Sequence, residues 1–320
     1  MATSPSGKAR VCKTLIMGSN PIVASKEKDR RNPVLFGFPQ RKWRYNIFTM
    51  KKFFQKRIAI PQDHGSWVFL FSPLLIGLSA GATFNAASLA LVIVALAGFL
   101  IRQPLTVAVK AYSGRRPKSD LPAARFWLII YGLIGLAWAT ELVMLGYTML
   151  AWLALPAVPV FIWHLWLVSK REERKQAGIE ILATGVLALS APAAYWIGQN
   201  AYDPLGWILW ILAWFQSAAS IVHAYLRLQQ REWQTPLSLA DRFRAGWRAL
   251  AYTGFNLALS AALGAFGIIP GLVWLAYLLQ FGETLFGTVK PATGAKPVEI
   301  GMRQLIVSSL FTLLFILAWD

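Results

Sequence analysis

Apolar residues in this chain gather into long runs separated by short polar joints. From residue 66 onward the runs fall near 66–82, 86–104, 126–141, 143–169, 177–198, 205–226, 248–267, 269–287 and 303–319. About 20 apolar residues in a helix cross the roughly 30 Å hydrocarbon core of a bilayer. The pattern therefore predicts an all-α polytopic membrane bundle of nine transmembrane helices.

The joints alternate in charge. Those near 83–85, 142, 199–204 and 268 hold no Lys or Arg. Those at 102–125, 170–175, 227–248 and 290–303 hold the basic side chains, among them Lys170, Arg171, Arg242, Arg248, Lys290 and Lys296. Basic loops stay on the cytoplasmic side. The alternation thus predicts a cytoplasmic N-terminus and an exoplasmic C-terminus at Asp320, with an odd number of crossings. Trp67, Trp163, Trp207, Trp274 and Trp319 lie near span ends, where aromatic belts form.

Composition agrees. The 320 residues are 56% hydrophobic and 14% charged, against about 25% charged in soluble domains. The net charge of +18 raises nucleic-acid binding, but its distribution argues otherwise. Residues 1–57 hold 14 Lys/Arg against two acids, a net of +12, and the remaining +6 sits between apolar runs. Anionic lipid at the cytoplasmic face is the partner this distribution fits. Cys12 is the sole cysteine, and His64, His164 and His223 are widely scattered. No disulfide, metal site or cofactor is expected from them.

Three regions follow. Residues 1–49 are basic and aperiodic, with no apolar core of signal-peptide length. They read either as a disordered tail against anionic lipid or as an over-extended reading frame. In the second case Gly18-Ser19-Asn20-Pro21 comes from a tRNA-gene T-arm and translation starts at Met50. Residues 50–65 mix Lys/Arg with Phe and Ile, as an interfacial segment does. Residues 66–320 are the transmembrane domain.

Two helix ends hold candidate chemistry. Arg102, Thr106 and Lys110 fall at i, i+4 and i+8 at the end of the second span, followed by Arg115 and Arg116. His223, Arg227 and Arg231 repeat that spacing at the end of the sixth. Such residues share a helix face. Topology alone explains their sign. A cavity between the two ends would also bind an anionic head, such as a lipid phosphate, an isoprenoid diphosphate or an acidic quinol precursor. Asp63 suits an N-cap for the first span. His64 reads either as an interface histidine or as a ligand contact at the membrane surface.

Polar groups within or near spans are His164, Glu180, Gln216, Asn256, Gln280 and Glu283. Such groups usually face the bundle interior. Asn256 and Gln216 read as interhelical hydrogen-bond partners, and Glu180 as an ion-pair partner for the basic loops. Pro73, Pro104, Pro156, Pro159, Pro192 and Pro270 lie in or at the ends of spans, where they free carbonyls.

The stretch IPQDHGSWVFLFSPLLIGL, with Pro61-x-Asp63-His64-Gly65-x-Trp67, resembles the opening signature of the YwiC-like family of bacterial membrane proteins. That resemblance implies no particular activity. Nine spans with polar stretches closing spans two and six are also similar to the UbiA prenyltransferases. Those enzymes hold Mg²⁺ there on Asp-rich motifs. Here the two stretches are RQPLTVAVK and HAYLRLQQR, without an Asp, and Mg²⁺ needs oxygen ligands. The expectation is a membrane protein that binds an anionic isoprenoid or lipid head group in a cytoplasm-facing cavity without that metal. A divergent transferase, a transporter or permease, and a non-catalytic assembly factor stay open beside it.

Overall fold

In the computed structural model, residues 53–61, 64–170, 177–235 and 237–319 are described, with side-chain detail at His64 excepted. The expectations for residues 1–49 and for Asp63 fall outside them. Among the described residues the secondary structure is entirely helical.

A short helix α1, Lys56–Ala59, precedes a 3₁₀ turn His64–Trp67 that runs into α2, Val68–Ala80. Then come α3, Ala86–Tyr112, and α4, Leu121–Met144. A 3₁₀ stretch Thr148–Leu153 leads into α5, Ala154–Lys170. Two pieces follow, α6, Ala177–Ala188, and α7, Ser190–Gln199. The rest is α8, Leu205–Gln230; α9, Leu239–Ala265; α10, Trp274–Val289; and α11, Pro297–Trp319. Six stretches are long and apolar enough to cross a bilayer: 86–112, 118–144, 148–170, 177–199, 205–230 and 297–319. A seventh, 65–80, is apolar but shorter. The chain is a multi-pass membrane protein.

Local chemistry sets the boundaries. Asn85 starts α3 with a capping box, its side chain taking the Ser88 amide at 2.9 Å. Ser238 caps α9, its hydroxyl accepting from Asp241 N at 3.2 Å. That cap starts α9 nine residues before the apolar run at 248, so its first ten positions carry Asp241, Arg242, Arg244 and Arg248. The single span expected at 177–198 is interrupted at Leu189. Pro192 has no amide to give the Ala188 carbonyl, and the turn falls there. The apolar stretch 143–169 divides where Gly146 turns with φ +96°.

Packing sorts the helices by environment. On α4 and α5, Ile129, Leu133, Leu136, Leu155 and Ile162 are exposed apolar side chains that face lipid. The enclosed core joins Leu74 and Ile76 of α2, Trp196 and Ile197 of α7, Leu209 and Leu212 of α8, Tyr277 of α10, and Phe311 and Phe315 of α11. Hydrocarbon supplies no hydrophobic drive between helices, so close approach over small residues and hydrogen bonds hold them. A Cβ on Gly77 would overlap the Ala191 carbonyl, and one on Gly198 would lie 2.6 Å from the Gly81 Cα. The α2–α7 backbones therefore touch. Ser72 and Thr312 join α2 to α11 through their hydroxyls at 2.6 Å.

Tryptophans tie α8 to its neighbours. Trp210 and Trp214 donate to the carbonyls of Gly185 and Ile181 at 2.8 and 2.7 Å. Asn256 donates to the Phe215 carbonyl and Gln280 to that of Gln216, both at 2.9 Å. Residues 53–61 lie across α3 and α4. Ile58 is fully buried there with Val107 and Ala124, Trp127 donates to the Phe53 carbonyl at 2.9 Å, and Tyr131 to that of Ala59 at 3.1 Å.

Candidate functional site

The N-terminal ends of α2, α6 and α11 converge on the C-terminal half of α8 around a cleft of about 280 Å³. Its walls are Val68 and Phe69 from α2, Ser220, Ile221, Ala224 and Leu228 from α8, and Ile300, Leu305 and Ser308 from α11. Gly65 lies at its edge, inside the His64–Trp67 turn. Small residues at helical spacing create the space. Ser220 and Ala224 share one face of α8, while Gly301 and Ser308 lie on α11, with nothing within 4 Å of a Cβ placed on Gly301.

Polar groups enter this wall at Glu180, Tyr225 and Gln304. Tyr225 donates its hydroxyl to Glu180 Oε1 at 3.0 Å. A pocket that is mostly apolar with a few converging polar groups is the usual form of a small-molecule site.

An adjacent face of α8 carries two of the sequence-derived candidates. His223 is buried against Gly287 of α10, where an added Cβ would sit 2.7 Å from the imidazole Cε1. Its Nε2 lies 3.8 Å from Glu283 Oε1, and its Nδ1 has no hydrogen-bond partner among the described residues. Arg227 donates from Nη1 to the carbonyls of Gly287 and Lys290 at 2.8 and 2.7 Å, and to Gln230 Oε1 at 2.9 Å. It thereby closes the C-terminal carbonyls of α10. Glu283 is held by Arg303 of α11. Arg231 is the residue that caps α8, and its carbonyl accepts from Gly294 N at 3.2 Å.

The α3 candidates fall in another group. Arg102 lies over the Phe99 ring at 5.6 Å, while Thr106 and Lys110 are half-buried on the same helix. Arg116 pairs with Asp120 at 3.6 Å and Arg57 reaches the same carboxylate at 3.1 Å. Arg115 is half-buried beside them in sequence. Helix α3 packs chiefly on α4, and α8 on α6, α7 and α9. The structure thus groups Arg116 with Arg57 and Asp120, and His223 and Arg227 with α10 and α11. None of the ten candidates is among the described lining of the cleft, and Asp63 and the His64 side chain lie outside the described residues. Among the described residues, no three His, Cys, Asp or Glu side chains gather to hold a metal.

Glu180 and Tyr225 are the pair that sequence did not connect. Glu180 was legible as a span-end acid. Tyr225 carried no signal beyond lying two residues from His223 on a helix that turns about 100° per residue.

Comparison with known proteins bears on the same region. The family model described as YwiC-like protein matches residues 60–195. That interval opens on Pro61-x-Asp63-His64-Gly65-x-Trp67 and continues into α7. The "Uncharacterized protein YwiC" of Bacillus subtilis (strain 168) is 24% identical over 216 residues, covering 63% of this chain and 84% of its own length. No solved structure matches the chain. Over residues 60–195, this multi-pass membrane protein is thus similar to the YwiC-like family.

Proposed function

We propose that this protein binds a membrane amphiphile in the cleft between α2, α6, α8 and α11, with the apolar chain along the cleft and the head toward the cytoplasm. The observation that carries this reading is the cleft itself, a cavity of about 280 Å³ walled mostly by apolar side chains, with Glu180, Tyr225 and Gln304 among its polar groups. In the proposed topology nine helical columns cross the bilayer in a UbiA-like arrangement, N-terminus in and C-terminus out. The order of the helices and the alternation of basic and neutral joints support it.

Positive charge at the mouth draws a phosphate-bearing head, from an isoprenoid or a phospholipid, to this face. Arg231 and Lys296 stand beside the lining residues Leu228 and Pro297 in sequence. Arg102, Thr106, Lys110, Arg115 and Arg116 extend the basic cytoplasmic surface and hold anionic lipid there. His223 and Arg227 serve the site indirectly, by fixing α10 against α8. No reaction is assigned, since both helix ends lack the carboxylates that a Mg²⁺-dependent transferase needs.

Native mass spectrometry of the full chain tests the reading. Wild-type protein is expected to retain a stoichiometric amphiphile, and Gly301→Trp, which fills the cleft, to lose it. Equal retention by both proteins overturns the assignment.

A further inference from the structure

Two buried hydroxyls on the walls of the cleft have protons that the described residues do not use. Ser308 of α11 is 2% exposed and lines the cleft. Its carbonyl accepts from Thr312 Oγ1 at 2.8 Å, while its hydroxyl makes no hydrogen bond among the described residues. Ser220 of α8 is 1% exposed and lines the same cleft. Its Oγ accepts from Gln280 Nε2 at 3.0 Å and from Gln216 Nε2 at 3.2 Å. Gln280 Nε2 also donates to the Gln216 carbonyl at 2.9 Å, and a carbonyl can only accept, so that amide is fixed in orientation. The Ser220 oxygen is thus engaged on α8 and α10, and its proton has no acceptor among the described residues.

The two serines sit at one level. Ser220 lies ten residues before Gln230 and Ser308 eleven after Pro297, so each is about 15 Å along its helix from the end that a basic joint flanks. Gln304, one turn nearer Pro297, adds an uncharged amide to the lining. No Lys or Arg is among the described lining residues. A phosphate at this level would exchange its water for hydroxyls and an amide alone, which is costly for a charge. A neutral carbonyl oxygen takes the same donors with no charge to desolvate, and it satisfies hydroxyls that are expensive to leave unpaired. In a diacyl phospholipid the ester carbonyls lie a few bonds from the phosphate, between the head and the chains. A polyprenyl phosphate has no carbonyl.

Resting on the amphiphile reading above, we infer that Ser220 and Ser308 form a carbonyl-binding site, so that the cleft selects an ester-linked phospholipid over an isoprenoid phosphate. The ester oxygen sits between α8 and α11 at the level of the two hydroxyls. The phosphate lies toward the mouth, and the acyl chains continue along the apolar walls. An ether-linked lipid has the same head and chains but lacks the carbonyls, so it isolates this contact.

The full chain is equilibrated with equimolar diacyl phosphatidylethanolamine, its dialkyl ether analogue and undecaprenyl phosphate, and the retained lipid is quantified by native mass spectrometry. Two hydroxyl donors predict that the diacyl lipid is retained about tenfold over the ether lipid, and also over undecaprenyl phosphate. Ser308→Ala removes a hydroxyl on which no described residue depends, and it is expected to lower the ester-to-ether ratio by about threefold. Ser220→Ala combined with Ser308→Ala is expected to bring the ratio near one; Ser308→Ala alone decides the matter if the double variant does not fold. Equal retention of ester and ether lipid by the wild type, preference for undecaprenyl phosphate, or a ratio unchanged in Ser308→Ala overturns the carbonyl site. If retention is then still abolished by Gly301→Trp, the amphiphile reading stands without the ester assignment. If Gly301→Trp retains lipid unchanged, the amphiphile reading fails as well.

Discussion

Arg303 grips Glu283 through both limbs of its guanidinium, Nε to Oε1 at 2.6 Å and Nη2 to Oε2 at 2.8 Å. The same guanidinium lies 4.6 Å from the centre of the Phe286 ring. This fork joins α10 to α11, and α11 forms one wall of the cleft. Lysine keeps the charge but neither the bidentate geometry nor the stacking. Arg303→Lys is expected to destabilise the folded protein by about 2 kcal/mol, the scale of a hydrogen bond to a charged group. Thermal unfolding in detergent measures it, and an unchanged midpoint would remove the fork from the account.

At Gly287 of α10, the side chains of α8 leave no room for a Cβ. A Cβ there lies 2.7 Å from His223 Cε1 and 3.3 Å from Arg227 Cδ. Gly287→Ala is expected to cost about 2 kcal/mol, as overpacking does in a filled core. His223→Ala removes the obstructing ring, so the double variant should be more stable than the sum of the single losses predicts. Strict additivity in that cycle would show that the two residues do not press on each other.

The α2–α7 contact rests on backbone touching backbone. The carbonyl of Ala191 occupies the space a Cβ of Gly77 would need, and Thr83 gives its hydroxyl to the Gly198 carbonyl. Gly77→Ala is expected to cost about 3 kcal/mol because a carbonyl cannot rotate out of the way as a side chain can. Gly98→Ala, with nothing within 4 Å of the added methyl, is the control and is expected to be neutral or slightly stabilising. Similar losses at both positions would contradict the close approach.

The order and type of the helices were legible because membrane crossing imposes a length and an apolar composition that neighbours need not specify. Partners were less legible. The spacing of His223 and Arg227 placed them on one face of α8, yet it could not say that α10 covers that face. Nothing in the sequence pattern links Asp120 to Arg57, yet the fold brings Arg57 from 63 residues away onto it. The Gly77–Ala191 approach left no trace in the hydrophobic pattern, since both residues count as small and apolar. Spacing fixes direction around an axis, whereas contact depends on the arrangement of all the helices.

Topology has its own test. With Cys12 replaced, single cysteines at Asn200 and Thr235 sit in a neutral and a basic joint respectively. The proposed crossing predicts that a membrane-impermeant maleimide labels Asn200→Cys in intact cells and Thr235→Cys only after permeabilisation. Labelling of both in intact cells would rule out the alternation of sides on which the nine-crossing topology depends.

Photolabelling tests the central claim, an amphiphile bound in the cleft, most directly. A diazirine-bearing phosphatidylethanolamine is incubated with the full chain in nanodiscs, irradiated, and the labelled peptides are mapped by mass spectrometry. The account predicts saturable labelling at Phe69, Ala224 and Leu305, competed by unlabelled lipid and abolished in Gly301→Trp. Labelling confined to the outward faces of α4 and α5, around Leu133 and Ile162, and unaffected by Gly301→Trp would show that the cleft binds nothing and that the lipid only surrounds the protein.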